Sequence, residues 1–193
     1  MGQPATAEFN DRGSKFIAFA YPLESVNDFK KCIQQLKKDH PKAVHHCFAY
    51  RVGTDGNNFR LSDNGEPAGT AGKPILGQID SKELMNIAVI VVRYFGGTLL
   101  GVPGLINAYT TVTSLVLQVT PIITKQVEVN YLVHFDYTQT NNVMVVLKQH
   151  NCKVVSQESQ LFSNVTAGIP KSRLPEVLYR LNELQGVEVK KLS

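Results

Sequence analysis

Apolar residues along this chain recur with two periods, and the points where the period changes mark out its elements. From Lys15 to Leu23 (KFIAFAYPL) the alternation predicts a strand, preceded by about a dozen mainly polar residues read as a loose tail over 1–12. Ser25 is placed to cap a helix in which Val26, Phe29, Ile33 and Leu36 recur at three- and four-residue spacing, closed by Lys37, Lys38 and Pro41. In a second strand His46, Phe48, Tyr50 and Val52 share one face, while His45, Cys47, Ala49 and Arg51 share the other. The stretch GTDGNNFRL follows as a turn at Asp55-Gly56 and a third strand.

Beyond Ser62 the periodicity lapses for thirteen residues, SDNGEPAGTAGKP, and then Pro74 to Ile79 suits a short helix. Ile87 to Phe95 is apolar without alternation, the pattern of a strand covered on both faces at the centre of a sheet. It runs through Gly96, Gly97, Gly101 and Gly104 into a helix with Pro103 in its first turn and a stripe of Leu105, Ala108, Val112, Leu115 and Val119. Pro121 stops that helix and a new alternating strand begins, so a domain boundary is expected there, dividing the chain into 13–122 and 123–193. The second part reads strand, helix (Asn142 to His150), strand (Lys153 to Gln160), strand (Val165 to Ile169), helix (Arg173 to Leu184) and strand (Val187 to Leu192). That order is βαββαβ, the ferredoxin-like pattern, so the expected class is α+β in two domains.

A length of 193 residues with 43% hydrophobic and 19% charged residues suits a folded globular chain. The longest apolar run, Ile87 to Val92, is too short to span a bilayer, and the N-terminal residues carry no hydrophobic signal core, so a cytoplasmic protein without membrane contact is expected. Cys32, Cys47 and Cys152 are odd in number and scattered, which argues against a disulfide framework and against zinc. A net charge of +4 permits a polyanionic partner without demanding one.

Candidate chemistry concentrates in the first domain. Gly65, Gly69 and Gly72 allow sharp turns that expose N–H groups, and Lys73 adds a cation, which is an anion-binding composition. A Walker A loop is excluded, because the glycine spacing differs and Pro74 follows the lysine. Gly96 and Gly97, ahead of a helix and beside Arg93, could face the same ligand; alternatively both loops simply make tight turns and close packing. Asp63 and Glu66 suggest a general acid–base pair or a divalent-ion site, or else turn formers and a solvated charge. His46 and Cys47 point to opposite strand faces, poor geometry for a catalytic dyad, and no catalytic residue, metal site or cofactor is assigned. Tyr50, Arg51, Tyr94 and Phe95 offer a weak aromatic-basic signal for base stacking.

Three stretches, HHCFAYRVG, SDNGEPAGTAGKPILGQI and VIVVRYFGGTLLGVPGLINAY, taken in that order and spacing, resemble the signature of the IMPACT family, also called the YigZ family. The resemblance runs from Gly13 through Tyr109, and the βαββαβ tail is similar to the C-terminal domain of the bacterial members. It implies a first domain like the second domain of a small-subunit ribosomal protein, a mixed sheet with helices, and a second like the last domain of the translocating elongation factor. Eukaryotic members act in translational control with the help of an extra N-terminal domain that has no counterpart in these residues. For bacterial-type members the resemblance implies an RNA- or ribosome-associated protein.

Motif positions that transfer are Asp63, Gly65, Glu66, Pro67, Gly69, Thr70, Gly72, Lys73, Arg93, Tyr94, Phe95, Gly96 and Gly97. Asn64 stands in place of a second aspartate, Ala68 in place of a common serine and Asn107 in place of an arginine. The candidate binding surface is therefore Arg51, Asp63, Gly65, Glu66, Gly69, Thr70, Gly72, Lys73, Arg93, Tyr94, Gly96 and Gly97. The leading expectation is a non-catalytic, translation-linked module in which Lys73, Arg93 and loop N–H groups hold an RNA phosphate. Two alternatives stand beside it. One is an enzyme or binding protein for a phosphorylated small molecule, with Asp63 or Glu66 as base. The other is a protein-interaction module with a translation-factor or regulatory partner, which needs an exposed apolar patch.

Overall fold

The computed structural model describes residues 4–54, 56–159 and 162–192, in two units that meet between Ile122 and Ile123. Asp55 of the expected hairpin turn and Gln160 at an expected strand end lie outside the described residues. In the first unit the elements are β1 (Ala5–Asp11), β2 (Ser14–Pro22), α1 (Val26–Asp39), β3 (His45–Val52), β4 (Asn58–Ser62), α2 (Gly72–Ser81), β5 (Ile87–Tyr94) and α3 (Gly101–Val119). Its sheet has the order β1-β2-β5-β3-β4, and every neighbouring pair is antiparallel, so the mixed sheet expected of this unit is not mixed in strand direction.

β5 lies at the centre of that sheet and is buried from Ile87 to Arg93. Ala88 and Ile90 face α1, where Phe29, Cys32 and Leu36 pack on them together with Phe48, Tyr50 and Val52. Val89 and Val91 face α2 and α3, which contribute Ile75, Leu76, Ile79, Leu105, Ala108, Tyr109, Val112 and Val116. Two opposed apolar layers explain why the strand shows no alternation. In α1 the Ser25 side chain accepts from the Asp28 N–H and the Asp28 carboxylate accepts from the Ser25 N–H, a reciprocal cap that fixes where the helix starts. In α3, Leu105, Ala108 and Val112 are buried as the spacing predicts, and Tyr109, Val116 and Leu117 join them, while Val119 in the last turn is exposed.

The N-terminal residues read as a loose tail instead form a strand. β1 pairs with β2 along its whole length, from Ala5 with Ala20 to Asp11 with Ser14. Ala5, Ala7 and Phe9 pack on the α2/α3 side, and Thr6, Glu8 and Asn10 point away from it. The hairpin turns at Arg12 and Gly13, whose φ angles are 45° and 80°, the two positive values that a two-residue turn between twisted strands demands. Lys15 reaches back to Glu8 across this pair at 2.8 Å.

The second unit runs β6 (Glu128–Asp136), α4 (Thr140–Gln149), β7 (Lys153–Ser159), β8 (Phe162–Pro170), α5 (Leu174–Asn182) and β9 (Val187–Lys191). Its antiparallel sheet has the order β7-β8-β6-β9, the ferredoxin-like arrangement. Val143 and Leu147 of α4 and Val177 and Leu181 of α5 pack on Tyr131, Val133, Phe135, Val165, Ala167 and Ile169. No helix among the described residues is long and apolar enough to cross a membrane.

Candidate functional site

The loop between β4 and α2 is folded around one carboxylate. Asp63 Oδ1 accepts from the N–H groups of Ala71 (2.9 Å) and Gly72 (2.8 Å), and Oδ2 accepts from Gly69 (2.9 Å). The carboxylate thus sits at the N-terminus of α2, where unpaired donors and the helix dipole favour a negative charge. Burial pushes the Asp63 carboxyl up, but the three N–H bonds and the nearby Lys73 outweigh it and hold it below its ordinary value. The anion that these N–H groups hold is the chain's own side chain. The N–H groups of Gly69, Ala71 and Gly72 are therefore not available to an external phosphate, which corrects the expectation that they hold one.

The other predicted residues divide among separate tasks. Thr70 is buried and donates to the Pro67 carbonyl at 2.7 Å, closing the loop on itself. Gly65 stands beside the His45 ring, and Gly72 packs against Leu61 and Ser62 with no room for a side chain. Gly96 meets the backbone of Gly13, where a Cβ would fall 1.9 Å from the Gly13 carbonyl carbon. Gly97 borders open space, and Lys73 is exposed. Tyr94 turns to the α1 side, its hydroxyl 2.8 Å from His40 Nδ1. Arg51 pairs with Asp80 and donates to the Gly56 carbonyl, in a separate cavity of about 380 Å³ beside Glu83, Leu84 and Met85. The structure does not bring Arg51, Lys73, Tyr94 and Arg93 to one surface.

What it does bring together is a buried network around Glu66. Arg93, following Val89 and Val91 in the strand's two-residue period, enters the α2/α3 side and donates from Nη1 to Glu66 Oε1 at 2.7 Å. The Tyr109 hydroxyl donates to the same oxygen at 2.8 Å, and Arg93 Nη2 donates to Ser14 Oγ at 3.2 Å. The guanidinium carbon stands over the Phe16 ring, 5.3 Å from its centre, in a cation–π contact, and Phe95 makes a second at 5.7 Å. The Cys47 thiol lies 3.2 Å from the Tyr109 oxygen and 2.9 Å from the Asp63 carbonyl. Burial pushes this thiol up to about 12, and burial also raises Tyr109, assisted by Cys47 and Glu66. Both groups hold their protons, so Cys47 is a packing thiol and Tyr109 a hydrogen-bond donor.

Above this network opens a cleft of about 370 Å³. Its floor holds His45, Glu66 and Arg93, and its walls include Val44, Pro67, Phe95, Leu99, Val102 and Leu105. Val44, Phe95, Leu99 and Val102 are exposed large apolar residues, Leu99 at 82%. Glu66 lines the cleft and Asp63 does not, so the two carboxylates do not form an acid–base pair over one ligand. Glu66 is further restrained as a base, since two donors already hold its Oε1. Among the described residues no group of three or more His, Cys, Asp and Glu is placed to hold a metal ion.

His45, Tyr109, Ser14, Val44, Leu99 and Val102 are functional candidates that sequence reasoning left out, while Phe95, read there for base stacking, stands on the apolar rim. The signal for the rim was Leu99 in the glycine-punctuated loop and Val102 in the first turn of α3, large apolar residues outside the periodic stripe of that helix.

The chain is an α+β protein of two units, the second ferredoxin-like and the first carrying an apolar cleft over a buried Arg–Glu pair. The family model described as the Impact N-terminal domain matches residues 12–117. A protein of Escherichia coli (strain K12), IMPACT family member YigZ, is 32% identical over 180 residues, 92% of this chain and 88% of that protein. Protein IMPACT homolog of Saccharomyces cerevisiae is 34% identical over 103 residues, 52% of this chain and 40% of its own length. A solved structure described as a crystal structure of an hypothetical protein superposes with a TM-score of 0.70 at 29% identity, covering 99% of this chain and 95% of that one. The chain belongs to the IMPACT family.

Proposed function

We propose that this chain is a non-catalytic module of translational control that works in the cytoplasm and docks a ribosome-associated protein partner through the cleft of its first unit. The observation that carries this reading is the exposed apolar rim of Val44, Phe95, Leu99 and Val102 around a lined cavity. Side chains of this size held in water at the edge of a depression favour a partner that covers them. Family membership supplies the connection to translation, since the eukaryotic members resembled by the signature act in translational control. A phosphate-led contact with RNA draws less support, because Asp63 occupies the loop N–H groups and Arg93 is committed to Glu66.

The test is co-sedimentation of the purified chain with ribosomes across a salt series, comparing wild type, Leu99→Asp and Lys73→Ala. Leu99 is 82% exposed, so its replacement leaves the fold intact. Binding that tolerates salt, weakens by about tenfold or more in Leu99→Asp and is unchanged in Lys73→Ala is the expected result. Binding that falls steeply with salt, is lost in Lys73→Ala and is indifferent to Leu99→Asp assigns the contact to RNA phosphates and ends the proposal.

A further inference from the structure

We infer that this chain pairs with a second copy of itself along β9, joining the four-stranded sheets of two second units into one continuous sheet. The inference is independent of the cleft and of the docking proposed for it.

The two sheets end in the edge strands β1, β4, β7 and β9. Each edge presents unpaired N–H and C=O groups to any strand that can lie beside it. A two-fold dimer adds the condition that the edge match itself, because a symmetry axis through the middle residue sets every other residue against the one equally far on the opposite side. β1 (Ala5–Asp11) does not match, since its middle residue is Glu8 and meets a second Glu8. β4 (Asn58–Ser62) sets Arg60 against Arg60. β7 is interrupted by a register shift between Val154 and Ser156, a bulge of the kind that ends pairing.

β9 reads VEVKK from Val187 to Lys191, so pairing about Val189 sets valine against valine and each Glu188 against Lys190 of the second copy. The backbone has the matching phase. Leu192 donates its N–H to the Asn130 carbonyl of β6 at 2.9 Å. Residues that bond inward alternate with residues that bond outward in an antiparallel strand, so Glu188 and Lys190 also turn their backbone groups to β6, and Val187, Val189 and Lys191 turn theirs to the open edge. The hydrogen-bonded pairs of the dimer are then Val189 with Val189 and Val187 with Lys191. Glu188 and Lys190 fall at the non-hydrogen-bonded positions, where opposed Cα atoms approach to about 4.5 Å and side chains stand closest.

Both faces of the strand agree with this pairing. Glu188 and Lys190 are exposed on the face away from α4 and α5, opposite His134 and Leu132 of β6, and among the described residues neither enters an ion pair. Val187 and Val189 lie on the helix face, opposite Phe135 and Val133, and one chain alone buries them only in part. Lysines on an edge keep foreign strands away, and Lys190 and Lys191 do so here. Glu188, placed as far from Val189 on one side as Lys190 is on the other, turns that defence into a preference for the chain's own copy.

The experiment is sedimentation equilibrium of the full chain at low ionic strength, where exposed ion pairs are least screened, at concentrations up to about 1 mM. The wild-type mass is expected to rise toward that of two chains. Glu188→Lys and Lys190→Glu, both at exposed positions, each set like charges opposite one another twice, and each is expected to weaken association by about tenfold or more. Mixed in equal amounts, the two variants are expected to associate again, because every charge of one then faces its opposite in the other. That recovery also shows that both variants are folded. A wild-type chain that stays monomeric up to about 1 mM, single variants that associate as tightly as wild type, or a mixture that stays monomeric overturns the inference.

Discussion

Arg93 and Glu66 form a salt bridge of 2.7 Å that fastens the end of the central strand to the loop ahead of α2, and their side chains are only 5% and 3% exposed. Ion pairs this deep owe their stability to each other: removing one partner leaves the second charge desolvated, at a cost of about 3–5 kcal/mol, whereas removing both is far milder. Glu66→Leu and Arg93→Met are each expected to lower the unfolding free energy by that amount. The double variant is expected to lose much less than the two losses added together. Urea unfolding of the four proteins gives the coupling energy directly, and simple additivity would show that the pair does not act as a unit.

Glycines 96 and 77 separate packing from propensity. A Cβ on Gly96 would fall 1.9 Å from the Gly13 carbonyl carbon, against backbone that cannot swing aside, while a Cβ on Gly77 in α2 meets nothing within 4 Å. Gly96→Ala is expected to destabilise by about 3 kcal/mol or more, because the β1-β2 turn has to move away from the β5 end. Gly77→Ala is expected to stabilise by about 0.5–1 kcal/mol, since alanine loses less backbone entropy in a helix. Thermal unfolding of the two variants decides the matter, and a tolerated Gly96→Ala would mean that the Gly13–Gly96 approach is not structural.

Elements whose apolar pattern is dense were legible from the sequence. β5 announced itself through IAVIVV, the start of α1 followed from Ser25, and its end from Lys37, Lys38 and Pro41. β1 was not legible, because its inward positions are Ala5, Ala7 and Phe9, two of them small, and its turn is Arg12-Gly13 in place of the commoner Asn-Gly. The candidate site was half legible. Glycines, carboxylates and cations could be recognised as anion chemistry, but periodicity carries no information on which partners meet. Asp63 reaches amides six to nine residues ahead, and Glu66 finds Arg93 and Tyr109 at separations of 27 and 43 residues. Burying the acid–base groups against each other moved the exposed chemistry to the apolar residues that composition treats as core.

Acid sensitivity should appear in two limbs with different owners. His46 is buried, its Nε2 has no hydrogen-bond partner, and burial followed by the charges of Lys37, His40 and His45 holds its pKa below the ordinary 6.5. The unfolded chain therefore binds a proton that the folded chain refuses, and stability declines as pH falls below about 6.5, with a slope of at most about 1.4 kcal/mol per pH unit for one proton. Asp63 is displaced in the same direction from an ordinary value of 3.8, but as an acid: its folded form stays ionised longer than its unfolded form. Its contribution is complete above 3.8 and is lost as pH falls through the folded value. Urea unfolding measured from about pH 8 down to about pH 3 is expected to show both declines. His46→Phe removes the first at little cost near neutrality, since the ring it replaces has an unpaired nitrogen. Asp63→Asn removes the second and costs about 2–3 kcal/mol at neutral pH, because one amide oxygen cannot serve the N–H groups of Gly69, Ala71 and Gly72. A decline near pH 6 that survives in His46→Phe would transfer the first limb to another histidine.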